Sequence, residues 1–209
     1  MKSSIALFLL TVGTLTASAQ GTVTFQNGVA FQTPDPTGGN RLVYDCGSPL
    51  DPVNGVGLTG TQYVAELYAG TSAGSLAPVT ASPSRFRNST TSPSNRGKWN
   101  TFTIDLTPNA TMPIPGINPG DTAFLQVKWW DWNANGGTTA LGSSSFETKV
   151  TGPYGISQVF TYKVPPLGDL VPGDYFMEGL QAFALVPEPS AIALGVLGMA
   201  GLLLIRRRK

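Results

Sequence analysis

Thr122–Asp131 reads TAFLQVKWWD, and the alternation within it is that of a β-strand covered from both sides. In an extended chain, successive side chains point to opposite faces. Ala123, Leu125, Val127 and Trp129 then share one face, and Phe124, Gln126, Lys128 and Trp130 share the other. Bulky apolar groups stand on both, which places the strand centrally in its sheet. Turn residues fence it, with Pro119-Gly120-Asp121 ahead and Asn135-Gly136-Gly137 behind.

The same texture recurs along the chain. Residues 22–26, 41–44, 62–68, 98–106, 144–150, 158–164 and 180–185 are short runs rich in β-branched and aromatic residues. Pro34-Asp35-Pro36 and Pro172-Gly173-Asp174 add further turn signals. Within 62–68, Tyr63, Ala65 and Leu67 fall on one face, with Val64, Glu66 and Tyr68 on the other. No amphipathic helix of ordinary length precedes the C-terminal tail. The expected fold is all-β, an antiparallel β-sandwich of jelly-roll-like or immunoglobulin-like form, between an N-terminal signal peptide and a C-terminal hydrophobic helix. Residues 80–95 are rich in Ser, Thr and Pro, with three Arg close by. They read as an exposed loop, either an ordinary mobile one or one that carries O-linked glycans or meets a partner.

Much chemistry is excluded by what the chain lacks. There is no His, and one Cys, Cys46. Without His there is no Ser-His-Asp or Cys-His catalysis and no His-ligated zinc. One Cys cannot close a disulfide within the chain, so the core must rely on burial and strand pairing. Cys46 itself reads as a small buried hydrophobe, with a reactive thiol or an intermolecular bridge as the alternative. The net charge of +1 is misleading, because residues 21–186 hold eight Lys or Arg against eleven Asp or Glu. The body is therefore mildly acidic, and the surplus positive charge lies in the tail. Nucleic-acid binding needs a basic stripe that this body does not show.

The richest stretch for ligand chemistry is KWWDWNANGG, from Lys128 to Gly137. Asp131, Asn133, Asn135 and Gly136 resemble the start of a calcium loop, where alternate oxygens point inward. The twelfth position is Gly142 where such a loop needs a bidentate Glu. A hairpin turn built on Asn-Gly is the plainer reading, and no metal or other cofactor is expected. Three of the four Trp lie here too, which raises the idea of a sugar-stacking platform. Trp129 and Trp130 point to opposite faces, so at least one belongs to the core, leaving Trp130 or Trp132 as the candidate ligand contact. Carboxylate-pair glycoside chemistry is the enzyme class that survives, but Glu66, Glu147 and Glu178 lie in no stretch that announces it. The body is expected to have no catalytic activity.

Both ends carry addressing signals. Met1 and Lys2, the apolar run 5–15 and Ala17-Ser18-Ala19 make residues 1–19 a signal peptide, cut by signal peptidase before Gln20. The exported body then spans residues 20–186, an ordinary single-domain size. At the other end, VPEPSAIALGVLGMAGLLLIRRRK closes the chain. Its apolar run, residues 191–205, makes roughly 22 Å of helix at 1.5 Å per residue, against about 30 Å of hydrocarbon. Arg206, Arg207, Arg208 and Lys209 form a membrane stop that holds the tail in the cytoplasm and the body outside. Pro187 and Pro189 keep the preceding chain extended, as a protease or transpeptidase requires. A permanent single-span anchor is the alternative.

Val186-Pro187-Glu188-Pro189-Ser190, the short apolar helix and the terminal basic cluster together resemble the PEP-CTERM sorting signal. The likeness covers residues 187–209 and the residue before them. It implies recognition of Pro187, Glu188 and Pro189 by an exosortase, an integral-membrane transpeptidase-like enzyme. It also implies a helix that tethers the body to the inner membrane before processing. Delivery to the cell surface or extracellular matrix of exopolysaccharide-producing Gram-negative bacteria would follow. The body is similar to β-rich ectodomains that carry this tail, through blocks such as GTVTFQN, LQVKWWDWN and LQAFALVPEP, a likeness that brings no activity with it. The expected function is a structural or adhesive surface protein in contact with extracellular polysaccharide. A carbohydrate-binding module using Trp130 or Trp132 is the alternative.

Overall fold

The computed structural model describes residues 20–27, 41–45, 56–88, 93–100, 111–135, 145–148, 151–168 and 177–185. The signal-peptide expectation (1–19), Cys46, Gly136 and the sorting tail (187–209) lie outside the described residues.

The fold is all-β, with sheets that are antiparallel except for one short pair. Ten strands are described: β1 (Thr22–Thr24), β2 (Val43–Tyr44), β3 (Tyr63–Gly70), β4 (Ala77–Pro78), β5 (Ser84–Arg85), β6 (Thr111–Pro113), β7 (Thr122–Asp131), β8 (Tyr154–Ile156), β9 (Phe160–Lys163) and β10 (Phe183–Ala184). The long strands β3 and β7 pair antiparallel from Tyr63↔Asp131 to Gly70↔Phe124 and form the centre of a six-stranded sheet. β4 and β5 share the outer side of β3, while β8 and β9 share that of β7. The expected central strand thus has its expected bounds and position.

Each side strand is broken midway, and the break is repaired in the same manner on both sides. Lys128 faces Ile156 but Leu125 faces Phe160, so the β8–β9 side carries one extra residue, a β-bulge around Ser157. There the Val127 N–H donates to Ser157 Oγ at 2.9 Å. On the opposite edge the chain leaves β3 between β4 and β5, and the Leu67 N–H donates to Ser82 Oγ at 2.8 Å. Leu67 and Val127 are register partners. Two buried serines therefore cap the outward N–H groups of one rung of the central ladder, where an unmet donor would be costly.

β1 pairs antiparallel with β6, and β10 pairs parallel with β2. Val23, Phe25, Val43, Met112, Ile114 and Phe183 from these small sheets join one core with Ala65, Leu67, Leu125, Val127 and Trp129 of the large one. Trp99 sits within this core, its ring centroid 5.0 Å from that of Phe25, and its Nε1–H donates to the Phe25 carbonyl. Asn27 ties three segments together. Its amide donates to the carbonyls of Arg41 and Gly97, and its oxygen accepts from the Trp99 N–H.

Two expectations are overturned. Residues 145–148 do not pair in a sheet; Phe146–Thr148 form a turn of 3-10 helix that drops Phe146 onto the large sheet. Residues 80–95 are not a fully exposed loop either. Ser84 and Arg85 pair with β3, and Phe86 is 0 % exposed, bridged to Trp99. Trp99, on the other arm of the same hairpin, draws this Ser-rich segment inward. The 98–106 run shows a single bridge at Trp99 in its described part. β4, β6 and β8 were not anticipated.

Candidate functional site

The face of the large sheet opposite the main core holds a polar cluster built around Glu66. β3 turns Val64, Glu66 and Tyr68 to this side, and β7 turns Gln126, Lys128 and Trp130 to it, as their alternation requires. Glu66 and Lys128 are register partners. Glu66 is only 1 % exposed, yet its charge-bearing oxygen is well supplied. Oε2 accepts from the Phe146 N–H at 2.8 Å, from Ser145 Oγ at 3.2 Å and from the Tyr68 hydroxyl at 3.2 Å.

Burial pushes the Glu66 carboxyl above its ordinary range; its hydrogen bonds from Phe146, Ser145 and Tyr68, and the nearby Lys128 charge, oppose that push without cancelling it. Burial, followed by the Glu66 charge, likewise drives the Tyr68 phenol upward, so the hydroxyl stays a donor. Lys128 Nζ lies 3.1 Å from Glu147 Oε1 and 3.6 Å from the centre of the Tyr68 ring. That hydrogen bond holds the Glu147 carboxyl below its ordinary range. The cluster acts as a clasp. Glu66 grips the backbone at the start of the 3-10 turn, Lys128 grips Glu147 within it, and Phe146 packs edge-on against Trp130 and Tyr154.

The two carboxyls are pushed in opposite directions, as in acid–base pairs. Their geometry serves a different end. Lys128 neutralises Glu147, and three donors converge on one oxygen of Glu66, which suits fastening a segment better than exchanging protons with a substrate.

Trp130 and Trp132, the candidate sugar contacts, are 1 % and 8 % exposed. Neither offers a free ring face. Phe146 meets Trp130 edge-on, and the Arg85 guanidinium lies 4.0 Å above the Trp132 ring. The exposed aromatic platform is therefore corrected: the rings are drawn inside because the 3-10 turn and Arg85 cover the outer face.

Asp131 and Asn135 are hydrogen-bonded within the protein, and Asn133 is exposed. Asp131 Oδ1 accepts from the Ala134 N–H at 3.0 Å, opening the 3-10 turn Asn133–Asn135. Asn135 donates to the carbonyls of Asp131 and Thr151 and accepts from the Thr151 N–H. Asn135 thus joins two chain segments, and no metal-binding group of carboxylates or Cys occurs among the described residues. The Asn-Gly hairpin residues extend beyond the described ones. Pro187, Glu188, Pro189, Arg206, Arg207, Arg208 and Lys209 also lie outside them. No helix among the described residues is long and apolar enough to cross a membrane.

The Glu66 clasp was missed by sequence reasoning. Its signal was present as a Glu and a Lys at inward-turned positions of two otherwise apolar strands, but the strand register needed to pair them is not written in either strand. Compared with known proteins, the chain matches no family model, no curated protein and no solved structure.

Proposed function

We infer that this chain is an exported surface or extracellular-matrix protein, delivered by exosortase processing of its tail, with a structural or adhesive role and no catalytic activity. The observation that carries the reading is the tripartite C-terminus: Pro187-Glu188-Pro189, a short apolar run and the basic stop Arg206 to Lys209. The signal-peptide pattern of residues 1–19 sends the body the same way. The fold supports it through where its pairing ends. Leu185 bridges to Gly155, two residues before Pro187, so removal of the tail spares every described strand.

We read the body as a β-sandwich, in which the large sheet packs across the shared core against the β1–β6 pair, while β10 meets the edge of β8 through the Leu185–Gly155 bridge. Such a body, with its tryptophans indoors and Glu66 and Glu147 engaged in a clasp, suits a scaffold or adhesin. In cells lacking the cognate exosortase, the tail-bearing form should accumulate at the membrane, whereas cells with the enzyme should release a body shortened near Pro187. Equal persistence of the tail-bearing form in both strains, read by intact mass, would overturn this reading.

A further inference from the structure

Half of the body's cations crowd into one hairpin. Arg85, Arg87, Arg96 and Lys98 fall within fourteen residues, and no Asp or Glu occurs between Glu66 and Asp105. Pairing brings the cations together. Phe86 and Trp99 form an antiparallel bridge, both 0 % exposed, and the Arg87 N–H donates to the Lys98 carbonyl at 2.9 Å. With Phe86 and Trp99 pointing inward, their neighbours Arg87 and Lys98 stand opposite each other on the outer side.

Like charges directly opposite across a pair work against the pairing. On β7 the fold avoids this: Lys128, also partly buried, faces Glu66 and meets Glu147. Among the described residues Arg87 and Lys98 meet no carboxylate, and Arg87 Nε is shielded from solvent with no hydrogen-bond partner. Burial and the Arg87 charge together hold the Lys98 pKa down, the environment of a cation that lacks its anion. Arg85 extends the patch toward Trp132, and Arg96 is exposed at the turn before Lys98.

We propose that Arg87 and Lys98, flanked by Arg85 and Arg96, bind the carboxylates of an acidic polysaccharide of the polyuronate class. A guanidinium fork fits a carboxylate in two-point contact, and the adjacent ammonium supplies a movable point charge. The patch is small and sits on an otherwise acidic body, which suits a polymer with one carboxylate per sugar better than a polyphosphate of higher charge density. The choice of partner rests on the exported-matrix reading, while the site itself rests on the hairpin. Exosortase-dependent processing can hold where polyuronate binding fails, and the reverse, so the two readings fail separately.

The test uses the full-length protein in detergent micelles, with polygalacturonate, neutral dextran and poly(A) as probes in titration calorimetry at low and high salt. Polygalacturonate should bind and weaken with salt, and dextran should not bind. Lys98→Glu sets an acid opposite Arg87, so it should weaken polygalacturonate at least tenfold while raising the melting temperature. Lys163→Glu makes the same change of net charge on β9 and should stay within twofold of the wild type. Wild-type binding by Lys98→Glu would overturn the proposal. So would an equal loss in Lys163→Glu, or tighter binding of poly(A) than of polygalacturonate.

Discussion

Replacing Ser82 or Ser157 by Ala tests whether two hydroxyls complete the central ladder. Each change removes one methylene-borne oxygen and leaves the Leu67 or Val127 N–H without an acceptor. Ser82 is fully buried and Ser157 nearly so, so water cannot readily replace either oxygen. A buried donor left unmet costs about 1–3 kcal/mol. Ser157 also donates to the Gln158 carbonyl, but Gln158 is exposed and its carbonyl can be rehydrated, adding little. The two serines stand on opposite sides of the β3–β7 pair, some three strand spacings or about 14 Å apart. At that separation their effects should add, to about 2–6 kcal/mol in the double variant. For a chain of this size, 1 kcal/mol moves the melting temperature by about 2–4 °C. Guanidinium unfolding followed by tryptophan fluorescence gives the stabilities, and hydrogen exchange at the Leu67 and Val127 amides localises them. If either single variant stays within about 0.5 kcal/mol of the wild type with its amide equally protected, the hydroxyls do not close the ladder.

Glu66→Gln should flatten the pH dependence of stability. Because burial raises the folded carboxyl above 4.5, its contribution is fully present below pH 4.5 and is lost as pH rises through the folded value. The wild type should therefore lose stability from that point toward neutrality, and the variant should not; identical slopes would remove burial as the dominant cause. Glu147 works in the opposite direction, but only below pH 4.5, and its exposure keeps its share small. Gly155→Ala should destabilise by about 1–3 kcal/mol or more, as overpacking does. A Cβ there would press on Trp129 Nε1 and come within 2.8 Å of the Ala184 carbonyl, and normal expression with an unshifted melting temperature would show that the β8–β10 contact can give way.

The long strands were legible because ten or eight residues give an alternation room to repeat. TAFLQVKWWD announces its own faces, and both faces are where the pattern put them. Two-residue strands such as Ser84–Arg85 contain no period at all. They exist because β3 offers an edge and because Trp99 offers Phe86 a partner, and both lie elsewhere in the chain. Residues 144–150 failed for a related reason. SFET has the aromatic and β-branched content of a strand, but the Glu66 carboxylate binds the Phe146 N–H and turns the backbone into a 3-10 helix. Trp132 looked like a surface residue beside a turn, and nothing adjacent to it in sequence reveals that Arg85 will cover it. Local pattern specified the scaffold, while the clasp and the basic hairpin depended on register.

The partnership between β2 and β10 bears on the order in which the molecule can be assembled. Val43 waits for Phe183 and Thr22 for Pro113, so the earliest segments to emerge during synthesis must wait for distant partners, and β2 for the last described strand. Folding dominated by such distant pairings is slow. On the exported reading proposed above, a chain passing N-terminus first through a narrow pore would stay threadable until most of the body had passed. β10, the last described strand, then locks the two ends of the body together, since it pairs with β2 on one side and meets β8 through the Leu185–Gly155 bridge on the other.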